Sequence, residues 1–259
     1  MDNKPVASGN IGNEFVAKSR PDGYTLLFND GGVILSRALG EKLGYDLFTD
    51  LDPVTFVASS AFALVVHPSV PSNTLREFIE YLKANSGKLA YGSTGNGTAN
   101  LLLPVLFLQQ SGSSALHVPY KGGALMMADL SAGHVQWTIT SMITTLPLAK
   151  DKRIKILAYG GLKRSKLIPD VPTLAETVMP GFEAGNWNAM MAPAQTPRSI
   201  MMHLNGEIIR TLQDPALRAA FEELGADPRP SSPEDYAAFM RRESDKWTKV
   251  VKTAGVTSE

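Results

Sequence analysis

Residues 91–100, YGSTGNGTAN, connect a short strand-like segment to LLLPVLFLQQ, an apolar run of helical length. The three glycines of this turn permit positive φ angles and let the backbone approach a ligand closely. Backbone N–H groups at the start of a helix lack intrahelical acceptors, and the helix dipole adds about half a positive charge there. The serine and threonine hydroxyls of the turn add further donors. The stretch therefore predicts either an anion cradle or a glycine-rich connection that Thr98 or Asn96 caps.

The turn does not follow a nucleotide-binding pattern. No third glycine stands three residues after Gly97, and no Gly-Lys-Ser or Gly-Lys-Thr sequence marks a P-loop. A turn that offers donors without a lysine suits a carboxylate better than a triphosphate.

The residue patterns predict strands at 51–58 and 62–67, a strand-to-helix turn at 29–32, and helices at 74–85 and 199–225, the first of them capped by Ser72 or Asn73. Strand-like and helix-like segments alternate in this way along the whole chain, which predicts an α/β fold. Two extended runs, FALVVH at 62–67 and NAMMAP at 188–193, divide it. If both runs cross between lobes, residues 1–66 and 190–259 form lobe 1 and residues 67–189 form lobe 2. That topology places a ligand in an interlobe cleft. One continuous doubly wound sheet is the alternative that periodicity leaves open.

Composition excludes several classes of function. Lys plus Arg and Asp plus Glu are 25 each, so no basic excess indicates a nucleic-acid partner. The chain has no cysteine, which removes disulfides, thiolate nucleophiles and cysteine-based zinc sites. The first residues, MDNKPVASGN, have neither the charged nor the apolar region of a secretory signal. We therefore expect either a cytoplasmic protein or an export segment upstream of this sequence.

Catalytic and metal-binding patterns are weak. The four histidines, at positions 67, 117, 134 and 203, form no pair with metal-ligand spacing, so we predict no metal site and no cofactor. Ser93 lies one residue away from the Gly-x-Ser-x-Gly nucleophile pattern and has no evident Asp and His partners in hydrolase order. We therefore predict no catalytic residue, and we expect structural roles for His67 and His117.

Seven short landmarks occur in order along nearly the whole chain. They are NIG at 10–12, PDGYTLL at 21–27, VVHPSVP at 65–71, YGSTGNGT at 91–98, HVPYKG at 117–122, DVPT at 170–173 and AP at 192–193. Together they resemble the substrate-binding proteins of tripartite tricarboxylate transporters, the Bug family. The resemblance implies a two-lobed α/β fold of the type II periplasmic-binding-protein class. It also implies a periplasmic protein that captures a small organic carboxylate for membrane transporter subunits.

The resemblance further implies which residues bind the ligand. Strand–turn–helix motifs in each lobe would supply backbone and hydroxyl donors. In lobe 2 these would be Ser93, Thr94, Asn96, Gly97, Thr98 and Thr140. In lobe 1 they would be Ser8, Gly9, Asn10, Asn29 and Asp30.

The sequence departs from the family pattern in three places. The first strand of lobe 1 and its Pro-Gly-Gly-rich turn have no counterpart, so that this strand is expected to be missing and its neighbours to expose edges. Truncation, a rearrangement, or self-association that covers the edge would each account for this. The family has glycines where Val6, Ala7 and Ser8 stand, and carboxylates near Thr140 and at Gln136. Two other functions stay open: a cytoplasmic isomerase, hydratase or lyase of a small carboxylic acid, and a degenerate copy that no longer binds.

Overall fold

The computed structural model describes residues 9–95 and 97–254 of the chain. This part contains eight strands, which are β1 (Leu27–Asp30), β2 (Leu51–Val66), β3 (Ala90–Ser93), β4 (Leu116–Pro119), β5 (Trp137–Ser141), β6 (Lys155–Tyr159), β7 (Gly185–Pro193) and β8 (Ala226–Pro228). It also contains nine helices, which are α1 (Asn10–Ala17), α2 (Gly32–Ala38), α3 (Leu75–Ala84), α4 (Ala99–Ser111), α5 (Gly123–Ala132), α6 (Met142–Lys150), α7 (Arg198–Leu212), α8 (Pro215–Glu223) and α9 (Pro233–Ala254). None of these helices combines the length and the apolar character that crossing a bilayer requires.

The chain divides into two compact units. Unit 1 comprises the chain up to Ser59, residues 187–223 and the chain from Asp227 onward; unit 2 comprises residues 60–186 and 224–226. The chain passes from unit 1 to unit 2 within β2 and returns within β7. The lobe boundaries predicted from the sequence, 66/67 and 189/190, lie further along the same two strands. The assignment of these lobes as functional domains stays a prediction.

The sheet of unit 2 has the order β6-β2-β5-β3-β4. Strand β2 pairs antiparallel with β5 and β6, whereas β3 pairs parallel with both β4 and β5. Because β3, β4 and β5 are parallel, their carboxyl ends meet at one edge of the sheet, where ligands of open α/β sheets bind. A helix follows each of these strands.

An aromatic cluster forms the core of unit 2 behind this edge. Trp137 on β5 is fully buried, and its ring centroid lies 5.6 Å from Phe78, 5.6 Å from Phe107 and 5.2 Å from Tyr91. Phe78 belongs to α3, whose apolar positions 75, 78 and 82 are all buried, as the helical spacing predicts. Burial of rings of this size supplies much of the free energy that holds the sheet and helices together.

Unit 1 has its own aromatic core. Strand β1 pairs antiparallel with β7. Phe56 of β2 lies 6.1 Å from Trp187 of β7 and 5.1 Å from Phe239 of α9, measured between ring centroids. Asn205 of α7 donates from Nδ2 to the carbonyl oxygens of Val54 and Ser231, at 2.9 and 2.8 Å. These bonds satisfy polar backbone groups beside the core.

Three sequence predictions of local structure are wrong. The two strands predicted at 51–58 and 62–67 form the single strand β2, because nothing between them interrupts the ladder. The helix expected over 199–225 is two helices, since Asp214 Oδ1 accepts from Leu217 N–H at 2.9 Å and starts a new helix. The turn expected at 29–32 begins later, because Asn29 and Asp30 belong to β1.

Candidate functional site

The turns that follow β3, β4 and β5 form the candidate site of unit 2. We call this region the donor edge: residues 93–95, 97–98 and 120–122, and Ser141. Helices α4, α5 and α6 start there, after Thr98, Gly122 and Ser141, and no acidic residue lies in the first turn of any of them. Three helix N-termini with no acidic residue in their first turns contribute a positive electrostatic potential to this edge. The arrangement suits a small anion.

Helix α3 of the same unit provides a contrast. Thr74 Oγ1 accepts from Glu77 N–H at 3.2 Å, and the Glu77 carboxylate accepts from Asn73 N–H at 2.7 Å. This reciprocal cap satisfies the N–H groups of Glu77 and Asn73 and places a negative charge at the start of α3. The cap predicted at Ser72 or Asn73 is therefore at Thr74. Thr98 at the start of α4 makes no such bond to the first turn.

Thr98 instead stabilises the turn that precedes α4. Its hydroxyl donates to the Gly95 carbonyl oxygen at 2.7 Å, and Gly95 has a φ of 98°. Gly97 is buried and has a φ of 74°. Both glycines thus occupy the left-handed region that side chains disfavour. Asn96, a predicted ligand residue between them, lies outside the described residues.

Asn100 joins the turn to the end of β5. Its Nδ2 donates to Thr140 Oγ1 at 2.8 Å and to the Ile139 carbonyl oxygen at 3.2 Å, while its Oδ1 accepts from Thr94 Oγ1 at 3.2 Å. Two predicted site residues, Thr94 and the buried Thr140, are therefore brought together by a residue that the sequence analysis did not single out. The signal for Asn100 was its place as the last residue of the glycine-rich stretch.

Ser93 ends β3 and is fully buried. A hydrogen bond of 2.6 Å joins its Oγ to His117 Nε2 on β4, and its Oγ also accepts from Gly95 N–H at 3.1 Å. Ser93 thus lies at the donor edge, but its hydroxyl is engaged by the protein itself. Although His117 as a whole is exposed, partial desolvation of its ring lowers its pKa, which favours the neutral imidazole.

The candidates of unit 1 lie at the starts of two helices. Gly9 precedes α1 with a φ of 81°, and Ser8 lies outside the described residues. Asn10 donates from Nδ2 to Ser36 Oγ at 3.2 Å and to Glu41 Oε2 at 3.1 Å. Its Oδ1 accepts from the Tyr45 hydroxyl at 3.0 Å. The Asn10 amide therefore ties α1 to its neighbours, which leaves the backbone as its means of contacting a ligand.

Asn29 and Asp30 alternate in direction along β1. Asn29 is buried, and its Nδ2 contacts Met191 Sδ at 3.3 Å, so its side chain faces the core of unit 1. Asp30 is exposed, and its Oδ1 accepts from Gly32 N–H at 2.8 Å. Although Asp30 as a whole is exposed, desolvation of its carboxyl raises its pKa above the ordinary value, and the Gly32 hydrogen bond acts in the opposite direction.

Metal-binding side chains do not cluster in the part of the chain that the structure describes. Among the described residues, no cluster of three or more His, Asp or Glu side chains could hold a metal ion. No carboxylate in that part of the chain hydrogen-bonds to His117, so Ser93 and His117 form a pair and not a Ser-His-Asp triad. What the structure assembles in unit 2 is a set of hydroxyl and backbone donors, with Asn100 bonded to Thr94 and Thr140 and His117 bonded to Ser93.

Solved structures with the same fold include several ligand-binding proteins. Rpa4515 of R. palustris, determined with adipate, superposes with a TM-score of 0.91 at 34% identity over 96% of this chain and 84% of that one. The periplasmic binding protein BugD gives 0.94 at 30% identity, over 100% and 87%. MatC (Rpa3494) from Rhodopseudomonas palustris, with bound malate, gives 0.87 at 28% identity, over 95% and 85%.

Fold and donor edge together define a solute-binding protein of the periplasmic-binding-protein class, which confirms the predicted α/β, two-lobed fold class. The model of the tripartite tricarboxylate transporter family receptor matches residues 1–256. The chain belongs to that family, and the resemblance to Bug proteins predicted from the sequence is confirmed.

Proposed function

We propose that the protein is a non-catalytic receptor that captures a small organic carboxylate and presents it to the membrane subunits of a tripartite tricarboxylate transporter. The lobes of this proposal are lobe 1 (1–66 and 190–259) and lobe 2 (67–189), and the donor edge is the carboxylate site that it assigns. Adipate and malate, the ligands of two structural relatives, are both dicarboxylates and are the first candidates. The periplasm is the proposed compartment, because BugD is a periplasmic binding protein.

The observation that carries this proposal is the donor edge itself. Three helices start at one sheet edge, and none has an acidic residue in its first turn. A carboxylate that accepts backbone N–H bonds there would gain charge-assisted bonds, which are about twice as strong as neutral ones. In this proposal the carboxylate lies among Thr94, Gly97, Thr98 and Thr140. Ser93 supports the turn through hydrogen bonds within the protein.

In unit 1 the proposal relies on backbone donors more than on side chains. The first turn of α1, which begins at Asn10 after Gly9, carries no acidic residue and no side-chain cap. Asp30 would repel a ligand carboxylate when it is ionised. It therefore suits a role as acceptor for a hydroxyl or ammonium group elsewhere on the ligand.

An enzyme that acts on a small carboxylic acid is the second candidate, and the Ser93–His117 hydrogen bond favours it. A hydroxyl within 2.6 Å of an imidazole nitrogen has the geometry of a nucleophile and its base. Against catalysis stands the complete burial of Ser93, which leaves its oxygen without access to a substrate. We therefore place the receptor first.

Calorimetric titration with adipate and malate tests the proposal, with adipamide as the matched uncharged control. A receptor binds at least one of the acids and not the diamide, and chromatography of the mixture after prolonged incubation recovers the acid unchanged. Failure of a panel of di- and tricarboxylates to bind would contradict the receptor function, and a new product would favour the enzyme. Sedimentation of the same samples tests the self-association that would cover the edge left by the missing strand.

A further inference from the structure

The hydroxyl of Ser93 lies between two groups of the protein. Gly95 N–H is 3.1 Å from Ser93 Oγ and can only donate, so it occupies one lone pair of the oxygen. His117 Nε2 is 2.6 Å away and can donate or accept, depending on its tautomer. The direction of this second bond decides what Ser93 does.

The need for an acceptor for the Ser93 hydroxyl proton favours one direction of this bond. If Nε2 carried the proton, the Ser93 oxygen would accept two bonds, and its own buried proton would need another acceptor. No such acceptor contacts Ser93 Oγ among the residues described. A buried donor left unsatisfied destabilises the folded state. The arrangement that satisfies every group has Ser93 donating to an unprotonated Nε2, with the imidazole proton on Nδ1.

The surroundings of His117 hold the ring in this position. In the parallel register of β3 and β4, Tyr91 pairs with His117. The two rings stack with centroids 5.1 Å apart and an interplanar angle of 28°. Ser93 lies two residues beyond Tyr91 on the same strand, so that it shares a face of the sheet with the stacked pair.

Gly95 is consequently held from both sides. Its N–H donates to Ser93 Oγ, and its carbonyl oxygen accepts from Thr98 Oγ1 at 2.7 Å. A glycine with a φ of 98° and space around its α-carbon has many accessible conformations when it is not restrained. The two bonds select one of them and thereby set the direction of the turn that leads into α4.

We propose that His117 is a positioning residue of the donor edge: its neutral imidazole accepts from Ser93, and Ser93 in turn fixes the Gly95 peptide and the turn before α4. In this role His117 acts through Ser93 and does not touch the ligand. Its effect on carboxylate affinity rests on the receptor function proposed above, whereas its effect on the turn does not.

Two amide substitutions at His117 separate the effect of its hydrogen bond to Ser93 from the effect of removing the imidazole ring. In His117→Gln, the side-chain amide lies as many bonds from the backbone as Nε2, so its oxygen can accept from Ser93. In His117→Asn the amide is one bond shorter and takes the place of Nδ1. Ser93→Ala removes the hydroxyl from the other side. His203→Asn, at an exposed position on α7 of unit 1, is the control.

Two measurements on these variants decide the proposal. The first is hydrogen exchange of the Gly95 amide: protection is retained in His117→Gln and His203→Asn, and it falls at least tenfold in His117→Asn and Ser93→Ala. The second is affinity for adipate or malate, which changes less than threefold in the first two variants and weakens about tenfold in the others. Equal behaviour of the Gln and Asn variants in hydrogen exchange would overturn the proposal.

A spectroscopic readout checks the tautomer directly. In long-range 1H–15N spectra of histidine-labelled protein, the signals missing from His117→Gln belong to His117. Their pattern should show a protonated Nδ1 and an unprotonated Nε2 near neutral pH, and the Nε2 shift should move in Ser93→Ala. A protonated Nε2 would refute the proposed chain of hydrogen bonds. If the unaltered protein binds none of the acids, the receptor function fails, and the exchange and tautomer results still decide the role of His117.

Discussion

Removal of the Asn100 side chain tests whether the donor edge is held together from β5. In Asn100→Ala, three hydrogen bonds disappear: those from Nδ2 to Thr140 Oγ1 and the Ile139 carbonyl, and that from Thr94 Oγ1 to Oδ1. Each such bond contributes about 1 kcal/mol net. Because water reaches part of this half-buried site, we expect the free energy of unfolding to fall by about 2–3 kcal/mol.

A double-mutant cycle with Thr140→Val isolates the shortest of these bonds. Thr140 is buried, and valine keeps its shape while it removes the hydroxyl. If Asn100 Nδ2 and Thr140 Oγ1 form the bond seen at 2.8 Å, the two single changes are not additive, and the coupling energy is about 1 kcal/mol.

Urea unfolding of the four proteins, followed by circular dichroism and by tryptophan fluorescence, measures the cycle. Asn85→Ala is the control, because this residue makes one side-chain bond, from Nδ2 to the Tyr81 carbonyl oxygen at 3.0 Å, and lies at the far end of α3. Its cost should be about 1 kcal/mol or less. A coupling energy near zero between Asn100 and Thr140 would refute the argument that this bond joins the turn to β5.

Three further predictions concern the same fold. Gly95→Ala should cost about 1–2 kcal/mol, because φ is 98° although space for a methyl group exists, whereas Gly206→Ala within α7 should stabilise by about 0.5–1 kcal/mol in thermal unfolding. Hydrogen bonding from Asn73 N–H lowers the pKa of Glu77. The ionised Glu77 therefore stabilises the fold above its ordinary pKa of about 4.5, and this stabilisation is lost as the pH falls through the pKa of the folded state. Urea unfolding between roughly pH 3 and 6 should therefore show a slope that Glu77→Gln reduces. Phe78→Ala should destabilise unit 2 by about 3–5 kcal/mol, since its ring is fully buried against Trp137, and a cost below about 1 kcal/mol would contradict that packing.

Local patterns predicted the framework of the site correctly, because they depend on neighbouring residues. The glycine-rich stretch is a strand–turn–helix connection, with β3 ending at Ser93 and α4 beginning at Ala99. The period of 3.6 residues identified α3, and its helix was predicted with an error of one residue at each end. The order of strands and the long single strand β2 required pairing across the chain, which periodicity does not encode.

Side-chain roles were harder to predict, because they depend on contacts between distant positions. Asn10 has the chemistry of a ligand donor, but its side chain is engaged within the protein. The hydroxyl of the buried Tyr45, 35 residues away, donates to Asn10 Oδ1 at 3.0 Å. Asn29 belongs to β1 and not to the turn after it, so strand alternation directs its amide to the core. The residue type was informative in both cases, and the direction of the side chain was not available from the sequence.

Ser93 shows why a donor in the right turn need not bind the ligand. A hydroxyl has one proton and two lone pairs, and at Ser93 the proton and one lone pair serve His117 and Gly95. Ser93 and His117, 24 positions apart in the chain, meet because β3 and β4 are parallel neighbours. No local pattern in the sequence reveals this pairing. A carboxylate at the donor edge would therefore depend on Ser93 through the backbone that it orients. The affinity lost in Ser93→Ala should appear together with faster exchange of the Gly95 amide, and loss of affinity without that change would mean that Ser93 contacts the ligand itself.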